Sequence, residues 1–173
     1  ARAVLNIGGI ANLSLLMPNR PPSGFDTGPG NALLDGWAHQ HLGRPLDEHG
    51  AWAAGGTVHK ELLDLCLQDH YFRRLPPKST GREHFHPDWL NARLAECGSR
   101  PSAQDVQATL AALTVESIAR SLQRTPQIRR LLVCGGGVHN RCLLQGLQAA
   151  LPNILIETTA QYGVDPDFME AIG

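Results

Sequence analysis

Residues 131–134 read Leu-Leu-Val-Cys and run straight into Gly135-Gly136-Gly137, after which Val138, His139 and Asn140 open a helical pattern. A short apolar run bounded by glycine suits a buried strand. A strand that passes through glycine into a helix belongs to folds in which helices cover a sheet. Three adjacent glycines are more than a tight turn needs. They leave bare backbone on which a flat ring or a ribose can rest. The spacing is not the Rossmann G-x-G-x-x-G, and no Walker G-x-x-x-x-G-K-[ST] occurs in the chain.

A second glycine bend lies near the start. Residues 4–7 and 11–16 have strand character, and Gly8-Gly9 between them allow a hairpin. The N–H groups at such a tip are unshielded by side chains and can donate to a phosphate, although the same letters suit an ordinary turn. Residues 24–26 read as a short third strand that ends in a turn at Thr27-Gly28-Pro29-Gly30, followed by a helix with Leu33, Leu34, Trp37 and Leu42 on one side. Asp26 and Thr27 there suit either a capping turn or a phosphate and metal site, because hard cations take carboxylate oxygens and helix starts favour anions.

Further along, residues 43–56 read as a loop and residues 58–67 as a helix. The two prolines and the glycine of residues 75–83 rule out regular structure, and residues 88–96 form a short helix. The longest helix is expected over 103–123, with Ser102 as N-cap and Pro126 as the stop. A strand over 130–134, a helix over 140–151, a strand over 154–157 and a helix from Pro166 complete the order. The fold class is therefore α/β: a mixed sheet with an antiparallel hairpin followed by alternating helices and strands, plus a helical insert at about residues 57–97. This is the order of a ribonuclease-H-like lobe, although periodicity alone does not separate it from other α/β folds.

Lys78 and Arg82 stand on the rigid 76–83 loop, where they could reach a phosphate or a carboxylate or be solvated. Asp165 and Asp167 read as helix caps ahead of Glu170. His84-x-His86 has no nearby third ligand, and the four cysteines form no C-x-x-C pair, which argues against zinc and for free thiols in a reducing compartment. A net charge of −1 gives no broad basic surface for nucleic acid. No apolar run reaches membrane-spanning length, and residues 1–5 show no signal-peptide pattern.

Five stretches together carry a resemblance: NIGGIANLSLL at residues 6–16, GFDTGPGNALLD at 24–35, PPKSTGREHF at 76–85, VCGGGVHN at 133–140 and GVDPDFMEA at 163–171. In this combination and order the chain resembles the anhydro-N-acetylmuramic acid kinases of the actin-like superfamily. The resemblance implies a two-lobe, ATP- and Mg2+-dependent enzyme of the bacterial cytoplasm. Such an enzyme opens the 1,6-anhydro ring with water and phosphorylates O6, as part of peptidoglycan recycling.

On that likeness residues 1–173 are the C-terminal nucleotide-binding lobe, expected to be cut at both ends. The catalytic base would lie upstream, and the lobe alone would be inactive. Asn6, Gly8, Gly9, Asn12, Gly135, Gly136, Gly137 and Asn140 would hold the nucleotide. Asp26, Thr27, Gly28 and Gly30 would sit near phosphate and metal. Many actin-like relatives carry an acid in the hairpin strand where this chain has Asn6, so Asp26 is the metal residue expected here. The partners implied are the anhydro sugar and ATP, without nucleic acid or membrane, and with a homodimer possible through the insert. Another actin-like sugar or acid kinase, a non-catalytic ATP-binding module and a structural lobe remain alternatives.

Overall fold

The structure is a computed structural model and describes residues 1–159. The expected last helix and the 163–171 motif lie outside the described residues. Five strands form one mixed sheet in the order β3-β2-β1-β4-β5. They are β1 Arg2–Ile7, β2 Ile10–Leu16, β3 Ser23–Pro29, β4 Arg130–Cys134 and β5 Leu155–Thr158. The first three make an antiparallel meander, and β4 and β5 join parallel to β1. Parallel joins need crossovers. The first runs through α1 Ala32–Leu42, α2 Ala51–Ala54, α3 Lys60–Leu67, α4 Pro87–Glu96 and α5 Ala103–Gln123, and the second through α6 Arg141–Ala150.

Side chains alternate across a strand, so register decides which rows share a face. Phe25, Leu13, Leu5 and Val133 are register partners across four strands, and all four are buried. The adjacent row, on the other face, is Asp26, Asn12, Asn6 and Cys134. The apolar row packs under α5, whose residues Leu110, Leu113, Ile118 and Leu122 are all buried. Ser102 starts this helix by accepting from the Asp105 N–H at 3.2 Å, as the sequence suggests. No described helix is long and apolar enough to cross a membrane.

The structure departs from the sequence reading in three places. The stretch 27–29 is strand and not turn: β3 runs through Pro29, with a register shift opposite Ala11 and Asn12. Asp26 pairs with Asn12 and Gly28 with Ala11, which leaves Thr27 as the extra residue of a β-bulge. The supposed loop 43–56 holds a 3-10 turn at Glu48–Gly50 and the short helix α2. Both are organised by Asp47, whose carboxylate accepts from the N–H groups of Trp52 and Ala53 at 2.9 Å each. Leu42, expected on the apolar side of α1, is 38% exposed, and Ala38 takes the buried place.

Candidate functional site

The polar row on the open face of the sheet is one half of the site. The Asn12 amide donates to Asp26 Oδ1 at 3.0 Å. Beside it on β1, Asn6 Oδ1 is buried and has no hydrogen-bond partner among the described residues. A buried acceptor without a donor costs on the order of 1–3 kcal/mol, so it points to a partner that arrives from outside the fold. This oxygen lies against Gly135 at the end of β4, where φ is +82° and a side chain would also come within 2.8 Å of the Ile7 carbonyl. Gly137 packs on Ile7 in the same way. The triple glycine thus lets the 3-10 turn Gly136–His139 lie directly on the end of β1.

The hairpin tip is fixed by the start of α1. Gly8 C=O accepts from Asn31 N–H at 2.9 Å, and Gly9 C=O accepts from Gly30 and Ala32 N–H at 2.9 and 3.1 Å. In a trans peptide the N–H points opposite to the C=O. The N–H groups of Gly9 and Ile10 therefore face away from α1. Any side chain at Gly30 would run into the Gly8 carbonyl.

Asn31 was not singled out from the sequence. It is the N-cap of α1 but makes no side-chain cap bond. Instead its Nδ2 lies 3.5 Å from the point a Cβ on Gly136 would occupy, so Asn31 spans the two glycine bends. An unused capping amide is visible only in three dimensions.

The other expected residues are distributed between the cleft and the core. Thr27 is fully buried, and its hydroxyl donates to the Ala11 carbonyl at 3.3 Å across the bulge. Gly28 faces inward, with Phe72 Cε1 2.7 Å from where its Cβ would be. Asn140 caps α6 by accepting from Leu143 N–H at 3.0 Å.

Asp26 is held by the 76–83 loop. Its Oδ2 accepts from Thr80 N–H at 3.0 Å, its N–H donates to the Lys78 carbonyl at 3.2 Å, and its carbonyl accepts from the Tyr71 hydroxyl at 2.7 Å. Lys78 itself is turned inward. Its ammonium lies 4.6 Å from the Tyr71 ring centroid and donates to the Tyr71 carbonyl at 3.3 Å. Burial pushes its pKa down, helped by the nearby charges of Arg124 and Arg74.

Arg82, on the same loop, is exposed and lies against Gly9, with Nη2 2.7 Å from a Cβ position there. Burial raises the pKa of nearby Asp35 to about 6, against the opposing effect of Arg82 and with a contribution from Asp47. A buried carboxylate ties together the segments that flank this loop: Asp69 accepts from Tyr71 N–H at 2.9 Å, Trp89 Nε1 at 2.8 Å and His84 Nε2 at 2.9 Å. No disulfide joins the four cysteines. His84 and His86 share no three-residue ligand cluster among the described residues.

Two glycine bends therefore meet at the C-terminal ends of neighbouring parallel strands, beside a carboxylate and an exposed guanidinium. The fold is that of the actin-like ATPases and sugar kinases. It is similar to the activator of the 2-hydroxyisocaproyl-CoA dehydratase from Clostridium difficile, with a TM-score of 0.61 at 14% identity over 96% of this chain and 55% of that one. It is also similar to a xylulose kinase from Rhodospirillum rubrum, with a TM-score of 0.56 at 12% identity over 91% and 34%.

Within that class the family model for anhydro-N-acetylmuramic acid kinase matches residues 1–173, and the chain belongs to this family. Proteins of that name are 52% identical in Cupriavidus metallidurans and 54% identical in Xanthomonas axonopodis pv. citri, each over 99% of this chain. The chain spans 46% of the length of those relatives.

Proposed function

We propose that these residues are the C-terminal, nucleotide-binding lobe of a two-lobe kinase. It phosphorylates O6 of anhydro-N-acetylmuramic acid while water opens the 1,6-anhydro ring, and it serves cell-wall recycling in the bacterial cytoplasm. The observation that carries this reading is the convergence of the Gly8-Gly9 tip and the Gly135–Gly137 bend around Asn31 and Asn6 Oδ1, which has no partner among the described residues. An acceptor oxygen at that point suits a ribose hydroxyl or a metal-bound water, while the tip N–H groups suit phosphate oxygens.

Phosphoryl transfer depends mainly on positioning and on stabilising charge spread over the phosphoryl oxygens. In this reading the lobe supplies the backbone donors of the Gly8-Gly9 tip, the N–H groups of Gly9 and Ile10, and the seat for adenosine at Gly135, Gly136 and Gly137. Asn12 orients Asp26. A magnesium ion bound with the triphosphate neutralises phosphate charge, and Asp26 fits as its carboxylate. Each Asp26 oxygen accepts one hydrogen bond and keeps a further lone pair, so the carboxylate could hold the ion directly or through water. The base for the attacking water belongs to the other lobe, so this lobe alone should not turn over.

The test is an assay of ATP-dependent phosphorylation of the anhydro sugar by the intact two-lobe protein and by residues 1–173 alone. Turnover by the intact protein only is expected. Sustained turnover by the lobe alone, or none by the intact protein, would overturn the assignment.

A further inference from the structure

We propose that a cavity between α1 and α4, beside the hairpin tip, receives the lactyl arm of the sugar, with Arg82 binding its carboxylate. The inference rests on the function proposed above and goes further by naming the substrate group and the residues that select it. The cavity has a volume of about 210 Å³, with Leu33 and Trp37 of α1 on one side, Phe85 and Leu90 on the other, and Arg82 at its edge. It also borders Ala32, whose N–H donates to Gly9 C=O, so it opens next to the phosphate-facing tip.

Three observations point to a ligand with one anionic end and a small apolar body. Arg82 makes no ion pair or hydrogen bond with another described residue, although Asp35 is near enough to feel its charge. The cavity walls are mainly apolar, with Gln40, His86 and Asn91 among them, which suits a small body that carries a methyl group beside its anionic end. Finally, Gly36 stands inside α1, where glycine weakens a helix, yet a Cβ there would meet nothing within 4 Å. Packing does not require that glycine, and Gly36 lines the cavity, where a large side chain would intrude.

The experiment uses the intact two-lobe enzyme with two sugars: anhydro-N-acetylmuramic acid and 1,6-anhydro-N-acetylglucosamine, which lacks the lactyl ether. Losing a charge-assisted hydrogen bond should raise KM by about tenfold or more. Arg82→Gln is therefore expected to raise KM for the lactyl sugar by that factor, with KM for ATP unchanged and little effect on the lactyl-free sugar. Gly36→Leu should fold, fill the cavity and raise KM for the lactyl sugar.

If Arg82→Gln raises KM for ATP instead, Arg82 is a phosphate ligand and the inference is wrong. It is equally wrong if Gly36→Leu binds the lactyl sugar normally, or if both sugars suffer alike from Arg82→Gln. These outcomes leave the kinase assignment standing. A wild-type enzyme inert toward both sugars would overturn both readings.

Discussion

The Asn31 N–H donates to the Gly8 carbonyl at 2.9 Å and so ties the first turn of α1 to the tip of the β1–β2 hairpin. The bond forms because Gly30, the preceding residue, has no side chain to strike that carbonyl. Gly30→Ala should therefore destabilise the protein by about 1–3 kcal/mol, as overpacking does. Gly36→Ala, six positions on and facing open space, should stabilise it by about 0.5–1 kcal/mol through helix propensity. Denaturation midpoints of the two variants should move in opposite directions.

The three contiguous glycines are not equivalent. Gly135 has φ +82° and touches the Ile7 carbonyl, whereas Gly136 has only Asn31 Nδ2 at 3.5 Å from its Cβ position. Gly135→Val should lower stability by about 1–3 kcal/mol through backbone strain. Gly136→Val should leave the melting temperature nearly unaltered and lower ATP affinity by about tenfold or more, since it places a branched side chain at the adenosine seat. Calorimetric titration of the intact protein with ATP, beside a thermal melt, separates the two.

Asp35 should impose a pH dependence on stability. Burial raises its pKa from 3.8 to about 6 in the folded state. The native protein thus holds the proton more tightly than the unfolded chain, and stability falls as pH rises from about 4 to about 6. Asp35→Asn removes that penalty. It should gain about 1 kcal/mol at pH 7, allowing for solvent screening of a partly exposed group, and nothing at pH 3.5. Denaturation of both proteins at the two pH values checks the sign.

Asp69 should act in the opposite sense. Burial raises its pKa, but hydrogen bonds from His84, Tyr71 and Trp89 outweigh that and hold it below the usual carboxylate value. Its contribution is present above about pH 4, the unfolded value, and is lost as pH falls through the lower folded value. Asp69→Ala strands the Tyr71 and Trp89 N–H donors and frees the partly exposed His84, and should cost about 2–3 kcal/mol. It should also loosen the 76–83 loop, seen as faster amide exchange at Thr80, whose N–H is held by Asp26.

Local chemistry made much of the fold legible in the sequence. Ser102 and Pro126 bracket α5, and the alternation along β1 and β2 separates Leu5 and Leu13 from Asn6 and Asn12. These signals depend on residues a few positions apart. The end of β3 was not legible, because a bulge at Thr27 leaves no mark in a stretch rich in glycine and proline. The turn at Glu48–Gly50 and helix α2 were also hidden, since Asp47 organises them through contacts that composition does not reveal.

The candidate site divides in the same way. From the letters alone come the two glycine bends and the acid at position 26, because bare backbone and a carboxylate have only a few chemical uses. Only the tertiary structure decides that Lys78 turns into the Tyr71 shelf while Arg82 stays exposed, that Thr27 faces the core, and that Asn31 joins both bends. The physical reason is range. A residue's conformational freedom and charge are its own, but the direction its side chain takes is set by packing against elements far away in the chain.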